Sequence, residues 1–374
     1  MSSAPHELPR WVDLGLLPVI NLFIALVAAG IVVALVGQNP GDVLAALIKG
    51  AFGTQRGLSY TLYYATTFIF TGLAVAVAFH AGLFNIGGEG QAMLGGLGAS
   101  LAALWLAPYL PTPIMLAVMV LAGALFAVVW AVVPGYLQAY RGSHIVITTI
   151  MFNFLASSLL VYLLVNVLKP PGEMNAESAD FGPTAKVPGA HEALAWLGID
   201  WPSSPLNLTL LLALAACGLV YLLLWHTRVG YRLRASGSSV GAAQYAGINP
   251  RAQVLIAMAV SGALAGMVAI NEVAGVHGKL EPDFVAGAGF TGIAVALMGR
   301  NHPVGIILAS VLFGAIFQGG AEVAFEISGF TKEMVVMLQG FIILFSGAMA
   351  YVIAPVVGKI YGAIASKRPG LQHG

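Results

Sequence analysis

The sequence predicts an all-α, polytopic integral membrane protein with about ten transmembrane helices, some of them broken, and with both termini in the cytoplasm. Of its 374 residues, 59% are hydrophobic and 8% are charged, whereas roughly a quarter of the residues of a soluble chain are charged. Apolar windows of about 20 residues, enough to cross a bilayer, recur along the chain. The net charge of +1 argues against a nucleic-acid partner. The single cysteine, Cys217, provides neither a disulfide framework nor a cysteine metal site.

Ten apolar windows mark the predicted helices, and we expect them to form a single membrane domain over residues 1–374. The window at 284–299 is short and interrupted by glycine, and the window at 87–107 follows a polar string with no charged loop before it. We therefore expect broken helices at both places. The windows cover residues 16–37, 59–79, 87–107, 112–135, 146–168, 206–226, 253–273, 284–299, 304–321 and 334–355.

The distribution of charge predicts the orientation of the chain. With cytoplasmic termini, the inner segments contain ten lysines and arginines against two acidic residues. The outer segments then contain six basic and twelve acidic residues. Because lysine and arginine resist translocation, this asymmetry favours cytoplasmic termini.

The outer loop at residues 169–205 is rich in proline and glycine and carries five acidic residues against two lysines. Trp196 and Trp201 lie near its end. Composition leaves two interpretations open: the loop docks an external partner, or it is a solvated connector that shields the helices.

The inner loop at residues 227–252 contains four arginines and no acidic residue. Ser238 and Ser239 can cap a short helix that ends at Gly247, and the Asn249-Pro250 pair prevents its continuation. A short helix parallel to the membrane is the predicted result. It either contacts a partner or only anchors the loop at the lipid headgroups.

A polar string, LFNIGGEGQ at residues 83–91, interrupts otherwise lipid-compatible sequence. Asn85, Glu89 and Gln91 cannot face lipid at this depth, and non-helical backbone there needs protein or water as its partner. The string therefore marks a structural break between helices or a transport pathway. Asn85 and Glu89 are four residues apart, so they are also suited to cap or bridge broken helix ends.

A short internal repeat suggests duplicated architecture. FTGLAVA at residues 70–76 and FTGIAVA at residues 290–296 differ at one position, and both precede a polar break. Transporters are often built from repeats with interrupted helices at matching positions. In the second break we favour a structural turn, with Pro303 at the first position of the next helix, over a gate.

Enzyme motifs are absent from the sequence: there is no metalloprotease or phosphate-loop pattern and no nucleotide-binding alternation of strands and helices. Uphill transport would therefore draw its energy from an ion gradient or from a partner that hydrolyses ATP. Glu89 is the clearest mid-membrane carboxyl, whereas Glu272, Glu322 and Glu326 are expected near outer helix ends. One such group is little support for an ion-coupled relay.

Four passages resemble the permease subunit of ABC importers that serve branched-chain amino acids, simple sugars and nucleosides. They are the string at 83–91, ITTIMFN at 147–153, the inner loop leading into SGALAG at 261–266, and GIAVALMGRNHPVGIILASVLFG at 292–314. The string F-N-I-G-x-E-G-Q is typical of nucleoside permeases, and the G-I-D-L-S-V-G pattern of ribose-type permeases is missing. Some relatives have Glu where this chain has Ile145.

The resemblance implies a permease subunit in the bacterial cytoplasmic membrane that imports nucleosides or a related small polar solute by alternating access. Amides or hydroxyls would bind ribose and base edges, and an aromatic ring would stack on the base. Thr149 and Asn153, four apart, would share one helix face. The candidate pathway residues are Phe84, Asn85, Glu89, Gln91, Thr149 and Asn153.

The resemblance also assigns the inner loop as a coupling helix that docks on a separate cytoplasmic ATPase. This chain would have no catalytic site and bind no cofactor or metal, and the ATPase would use ATP and Mg²⁺. The other implied partners are a second permease, either a different chain or a copy, an external substrate-binding protein or lipoprotein, and membrane lipid. The candidate coupling residues are Arg232, Arg234, Ser238, Ser239, Tyr245 and Arg251.

Two alternatives remain at this point. One is a simple-sugar importer of the ribose type within the same group. The other, less favoured, is a secondary transporter that is driven by an ion gradient and acts alone.

Overall fold

The computed structural model describes residues 17–327, 330–331, 333–341 and 344. The described part is helical and contains no β-strand, with one isolated bridge between Gly189 and Asn207. The prediction of an all-α fold is therefore confirmed. The helices are α1 (Leu17–Leu35), α2 (Pro40–Phe52), α3 (Gln55–His80), α4 (Gly88–Leu106), α5 (Thr112–Arg141), α6 (Ile145–Leu163), α7 (Ala190–Ala195), α8 (Thr209–His226), α9 (Arg228–Ser238), α10 (Val240–Tyr245), α11 (Pro250–Gly266), α12 (Ala288–Met298) and α13 (Pro303–Glu326).

Two helices continue into wider, π-helical turns. The chain after α6 forms such a turn at Leu164–Leu168, and the chain after α11 forms one at Ile270–His277. Short π-helical segments occur frequently at functional sites. A 3₁₀ turn at Pro183–Ala185 lies in the outer loop.

Six helices of the described chain are long and apolar enough to cross a membrane. They are α3, α5, α6 with its π turn, α8, α11 with its π turn, and α13, and two shorter apolar helices lie at Phe23–Leu35 and α12. The predicted window at 87–107 corresponds to α4, whose first turn is polar. The predicted total of about ten spans stays a prediction, and both termini and much of the window at 334–355 lie outside the described residues.

The chain divides into two compact units, Ala51–Gln318 and a smaller one formed by Met1–Gly50 with Gly319–Gly374. In the smaller unit Lys49 Nζ lies 2.6 Å from Glu326 Oε1 on the surface. Gly50 faces Glu322 so closely that a Cβ added to it would come within 2.4 Å of the Glu322 Cβ. The expectation of one membrane domain stays a prediction.

Small residues bring the helices of the larger unit into close contact. A Cβ on Gly95 of α4 would lie 2.5 Å from the Gly266 Cα of α11, so neither backbone leaves room for a side chain. Such close approach is typical of membrane helices, where packing replaces the hydrophobic effect as the source of association.

The two copies of the internal repeat pack against one another. A Cβ on Gly72 of α3 would meet Val295 of α12 at 3.0 Å, and one on Gly292 of α12 would meet Thr71 at 2.5 Å. Each copy thus supplies the glycine that admits a residue of the other. The duplicated architecture as a whole stays a prediction.

Candidate functional site

The polar string lies about halfway along the helical bundle. His80, the last residue of α3, places Nε2 3.0 Å from the Asn301 carbonyl oxygen just after α12, so these two helix ends are level. The 11 residues of α12 rise roughly 16 Å from there at about 1.5 Å per residue. At the other end of α12 lies Glu89, in the first turn of α4. Because the hydrocarbon core is about 30 Å thick, α4 and α12 both begin near its middle.

Glu89 joins the N-termini of these two helices. Its Oε1 accepts the Gly287 N–H at 2.8 Å, and its Oε2 accepts the Gly289 N–H at 2.8 Å. The side chain is buried, with 6% of its surface exposed. Unpaired N–H groups and the helix dipole make a helix N-terminus electropositive, and this carboxyl, in the first turn of α4, accepts two N–H groups at the start of α12. The expected bridging of broken helix ends is present, and it connects α4 to α12.

Asn85 and Gln91 form a reciprocal amide pair beside this junction. Asn85 Nδ2 donates to Gln91 Oε1 at 3.1 Å, and Gln91 Nε2 donates to Asn85 Oδ1 at 3.2 Å. Asn85 also donates to Ser261 Oγ on α11 at 2.9 Å, and Ser261 donates to the Ala74 carbonyl of α3. The pair therefore ties the segment before α4 to both neighbouring helices.

Asn153 on α6 holds the extended backbone that precedes α4. Its Nδ2 donates to the Ile86 carbonyl at 2.9 Å, and its Oδ1 accepts the Gly90 N–H at 2.9 Å. Thr149, one turn earlier and also buried, donates to the Ile145 carbonyl within its own helix. A Cβ on Gly87 would approach the Thr149 Cβ to 3.0 Å, so α6 packs directly on this backbone.

The structure thus brings together Asn85, Glu89, Gln91, Thr149 and Asn153 around residues 85–91. Phe84 is half-buried, and its ring packs edge-on against Phe79, 6.4 Å between ring centroids. The polar side chains of the group bond to the protein's own backbone, to each other or, in the case of Asn85, also to the Ser261 hydroxyl. They hold a broken helix pair in shape, and their contact with a solute stays a prediction.

A second buried polar cluster surrounds Glu272, which sequence reasoning placed only near an outer helix end. Glu272 lies in the π turn after α11 and accepts hydrogen bonds from Tyr63 and Thr67 of α3. Asn271 donates to Thr67 Oγ1 at 2.8 Å, and Asn207 donates to Asn271 Oδ1 at 3.1 Å. Tyr63 and Thr67, four apart on a helix, are the signal that predicts a shared polar face.

The predicted short inner helix is present as α10. Ser239 has the extended backbone of an N-cap and accepts the Ala242 N–H at 3.3 Å, whereas Ser238 lies in the last turn of α9 and donates to the Arg234 carbonyl. Gly247, with a φ of 75°, ends the helix, and Asn249 caps α11. Only the residue in extended conformation can cap, so Ser239 and not Ser238 fills this role. Helix α9, which precedes α10, was not among the predicted elements.

The candidate coupling residues separate into exposed and engaged groups. Tyr245 is 99% exposed, and Arg232 is exposed on α9. Arg234 donates from Nε to the Leu224 carbonyl and lies over the Trp225 ring, and Arg251 lies over the Tyr140 ring. Arg234 therefore stabilises the C-terminal end of α8, where carbonyls favour cations. Arg251, exposed in the first turn of α11, contacts the Tyr140 ring near the end of α5.

A close backbone contact links this inner segment to the polar string. Gly82, just before residues 83–87, has a φ of 74° and would place a Cβ 3.2 Å from the Gly237 Cα at the end of α9. A Cβ on Gly237 would lie 2.3 Å from the His80 carbonyl oxygen. Two residues further along the chain, Ser239 begins α10. The end of α9, to which α10 is joined at Ser239, therefore packs on the backbone that leads to α4.

Spanning helices, two helix N-termini that meet at mid-membrane depth and an exposed capped helix on the inner loop together define a multi-pass membrane permease. The chain belongs to the family described as the branched-chain amino acid transport system / permease component, whose model matches residues 57–347. The resemblance found in the four sequence passages is thereby confirmed.

Several curated relatives are ABC transporter permeases. The chain is 34% identical to a glucose ABC transporter permease protein of Haloferax volcanii, over 91% of this chain and 88% of that protein. It is 34% identical to a guanosine ABC transporter permease protein of Bacillus subtilis, over 92% and 96%. It is 29% identical to a nucleoside ABC transporter permease protein of Lactococcus lactis, over 95% and 97%. No solved structure matches the chain at a significant level.

Proposed function

We propose that this chain is the membrane-spanning subunit of an ATP-driven importer in the bacterial cytoplasmic membrane, and that it carries nucleosides by alternating access. The observation that carries the proposal is the close contact of Gly237, two residues before the N-cap of the exposed helix α10, with Gly82, which immediately precedes residues 83–87, the non-helical segment that leads to the start of α4. It offers a route by which a cytoplasmic partner changes the transport path. The chain itself would have no catalytic site, and ATP and Mg²⁺ would bind to the partner ATPase.

Residues 83–87 are the element best suited to change shape. They lie between α3 and α4 and lack helical structure, so their dihedral angles can change without loss of helical hydrogen bonds. Glu89 and the Asn85–Gln91 pair hold one arrangement of this segment. Alternating access would exchange that arrangement for another in which α4 and α12 part or tilt.

Tyr245 on α10 would be the main contact with the ATPase. Tyr245 is an almost fully exposed aromatic residue on a capped helix. Tyrosines that become buried when an interface forms often supply much of the binding energy. Arg232 lies exposed on the preceding helix and would pair with acidic groups of the partner. The remaining partners proposed are a second permease, different or identical, and an external substrate-binding protein or lipoprotein.

Two relatives are named for guanosine or nucleosides and one for glucose, so the substrate proposal needs a direct test. The nucleoside reading is supported by the F-N-I-G-x-E-G-Q string, which this chain matches at residues 84–91. In the assembled importer, we expect unlabelled uridine or guanosine to suppress uptake of labelled uridine. A sugar importer would instead take up labelled glucose or ribose, the same unlabelled sugar would suppress that uptake, and labelled uridine would not be taken up.

Coupling is tested by comparing Tyr245→Ala with Tyr109→Ala. Tyr109 is also a strongly exposed tyrosine, but it lies at the other end of the bundle. We expect the first variant to lose ATPase binding and uptake, and the second to retain both. Both should keep the thermal stability of the unmodified permease. Normal ATPase binding by Tyr245→Ala would exclude α10 as the docking element.

A further inference from the structure

An exposed apolar cluster projects from the outer loop. Trp196 is 90% exposed, Leu197 is 75% exposed and Ile199 is 47% exposed, and all three follow directly after the short helix α7. Gly198, with a φ of 75°, turns the chain between them. Three large apolar side chains in succession are an unfavourable surface for water.

Backbone pairing fixes the start of this segment at the outer end of α8. The Ala190 N–H donates to the Leu206 carbonyl at 2.7 Å, and the Leu208 N–H donates to the Pro188 carbonyl at 3.2 Å. Since Thr209 begins α8, these bonds hold the base of α7 level with that helix end. The 18 residues of α8 place Thr209 roughly 27 Å from its inner end at about 1.5 Å per residue.

A side-chain bond fixes the other end of the segment at a similar depth. Trp201 Nε1 donates to Ser59 Oγ on α3 at 2.7 Å. Ser59 precedes His80 by 21 residues of one helix, roughly 32 Å at about 1.5 Å per residue. His80 packs on Trp225 near the inner end of α8, with ring centroids 5.3 Å apart, so both distances start from the same level.

Both ends of the apolar segment therefore lie at the outer boundary of a hydrocarbon core about 30 Å thick. Tryptophan is enriched at this level because its ring combines an apolar body with a polar N–H. Glu192, the acidic residue of α7, is turned back onto the Gly189 N–H at 3.2 Å.

We propose that Trp196, Leu197 and Ile199 insert into the outer leaflet of the membrane at the headgroup and acyl-chain boundary and anchor the outer loop to lipid. This goes beyond the proposed transport function, which leaves the occupant of this surface open. The anchor would hold the outer loop against the membrane, so that an arriving external protein meets a fixed surface.

The test places an environment-sensitive fluorophore on a single cysteine in the permease complex, purified without its ATPase so that α10 stays uncovered, and reconstituted in lipid nanodiscs, with Cys217→Ala as the background. The probe positions are Trp196→Cys and, as a second variant, Leu197→Cys. Leu125→Cys, on the exposed face of the span α5, gives the lipid reference, and Gln244→Cys, on the exposed inner helix α10, gives the aqueous reference.

We expect labels at 196 and 197 to be quenched severalfold more by lipid-borne doxyl groups than the label at 244. We also expect aqueous iodide to quench them severalfold less than that label. Iodide quenching equal to that at 244 would overturn the proposal. A label that is aqueous in the isolated complex and shielded only after the external binding protein is added would overturn it too, and would assign the surface to that protein. None of these readouts depends on which solute is transported.

Discussion

Removing the carboxyl of Glu89 should destabilise the bundle more than any exposed acidic substitution. Glu89→Ala leaves the partly buried N–H group of Gly287 and the buried N–H group of Gly289 without their acceptor. Each unsatisfied group costs about 1–3 kcal/mol, and the lost charge at two helix N-termini adds about 0.5–1 kcal/mol. For the two groups together the sum is about 2.5–7 kcal/mol of unfolding free energy.

Glu89→Gln separates the charge from the hydrogen bonds. Its amide keeps the side-chain volume and one acceptor oxygen, so one of the two N–H groups stays bonded and the expected cost is about half. The assay is the thermal unfolding midpoint of the purified permease, followed by size-exclusion chromatography after heating. Glu173→Ala, at an exposed acidic residue of the outer loop, is the matched control.

We expect Glu173→Ala to be as stable as the unmodified protein, Glu89→Gln to be less stable, and Glu89→Ala to be the least stable of the three variants. Uptake by the assembled importer should fall for Glu89→Ala while the ATPase still binds ATP. An unfolding midpoint for Glu89→Ala that matches the Glu173→Ala control would refute the assignment of Glu89 as the joint between α4 and α12.

Three further predictions test other buried contacts of the helical bundle. Asn153→Ala should lose about 2–3 kcal/mol of stability because it removes two hydrogen bonds to the backbone. The control Asn166→Ala, at an exposed site with one hydrogen bond, should lose less than about 1 kcal/mol. Thermal unfolding of the two variants measures the difference. Gly95→Ala should lower the yield of folded protein because its Cβ meets the Gly266 backbone at 2.5 Å, while Gly218→Ala, with open space around it, should be neutral or gain up to about 1 kcal/mol. Glu272→Ala should cost about 2–4 kcal/mol of stability because it leaves the Tyr63 and Thr67 hydroxyls without their acceptor. A thermal unfolding midpoint equal to that of the unmodified protein would count against a stabilising role for the buried polar cluster around Glu272.

Local sequence signals predicted the inner segment well because capping is a short-range property. Ser239, Gly247 and the Asn249-Pro250 pair each act on backbone within a few residues, so their effects can be read from the sequence. Pro303 likewise begins α13 as expected. Ser238 was assigned to the wrong helix because the preceding helix α9, with low hydrophobicity, was not recognised.

The partners of the buried polar groups could not be predicted, since they lie far apart in the sequence. Glu89 bonds to Gly287 and Gly289, about two hundred residues away, and Asn153 bonds to residues 86 and 90 from a separate helix. Composition shows that such groups need partners at membrane depth, but only the packing of α4, α6 and α12 selects them. The Glu272 cluster went unnoticed for the same reason.

The measurement that tests the central claim most directly is solute accumulation in proteoliposomes of defined composition. The permease is reconstituted alone with a proton or sodium gradient, or together with its ATPase, second permease and external binding protein with ATP supplied. We predict accumulation of labelled uridine only in the complete system and only with hydrolysable ATP. Accumulation by the permease alone, driven by the ion gradient, would contradict the assignment as a subunit of an ATP-driven importer.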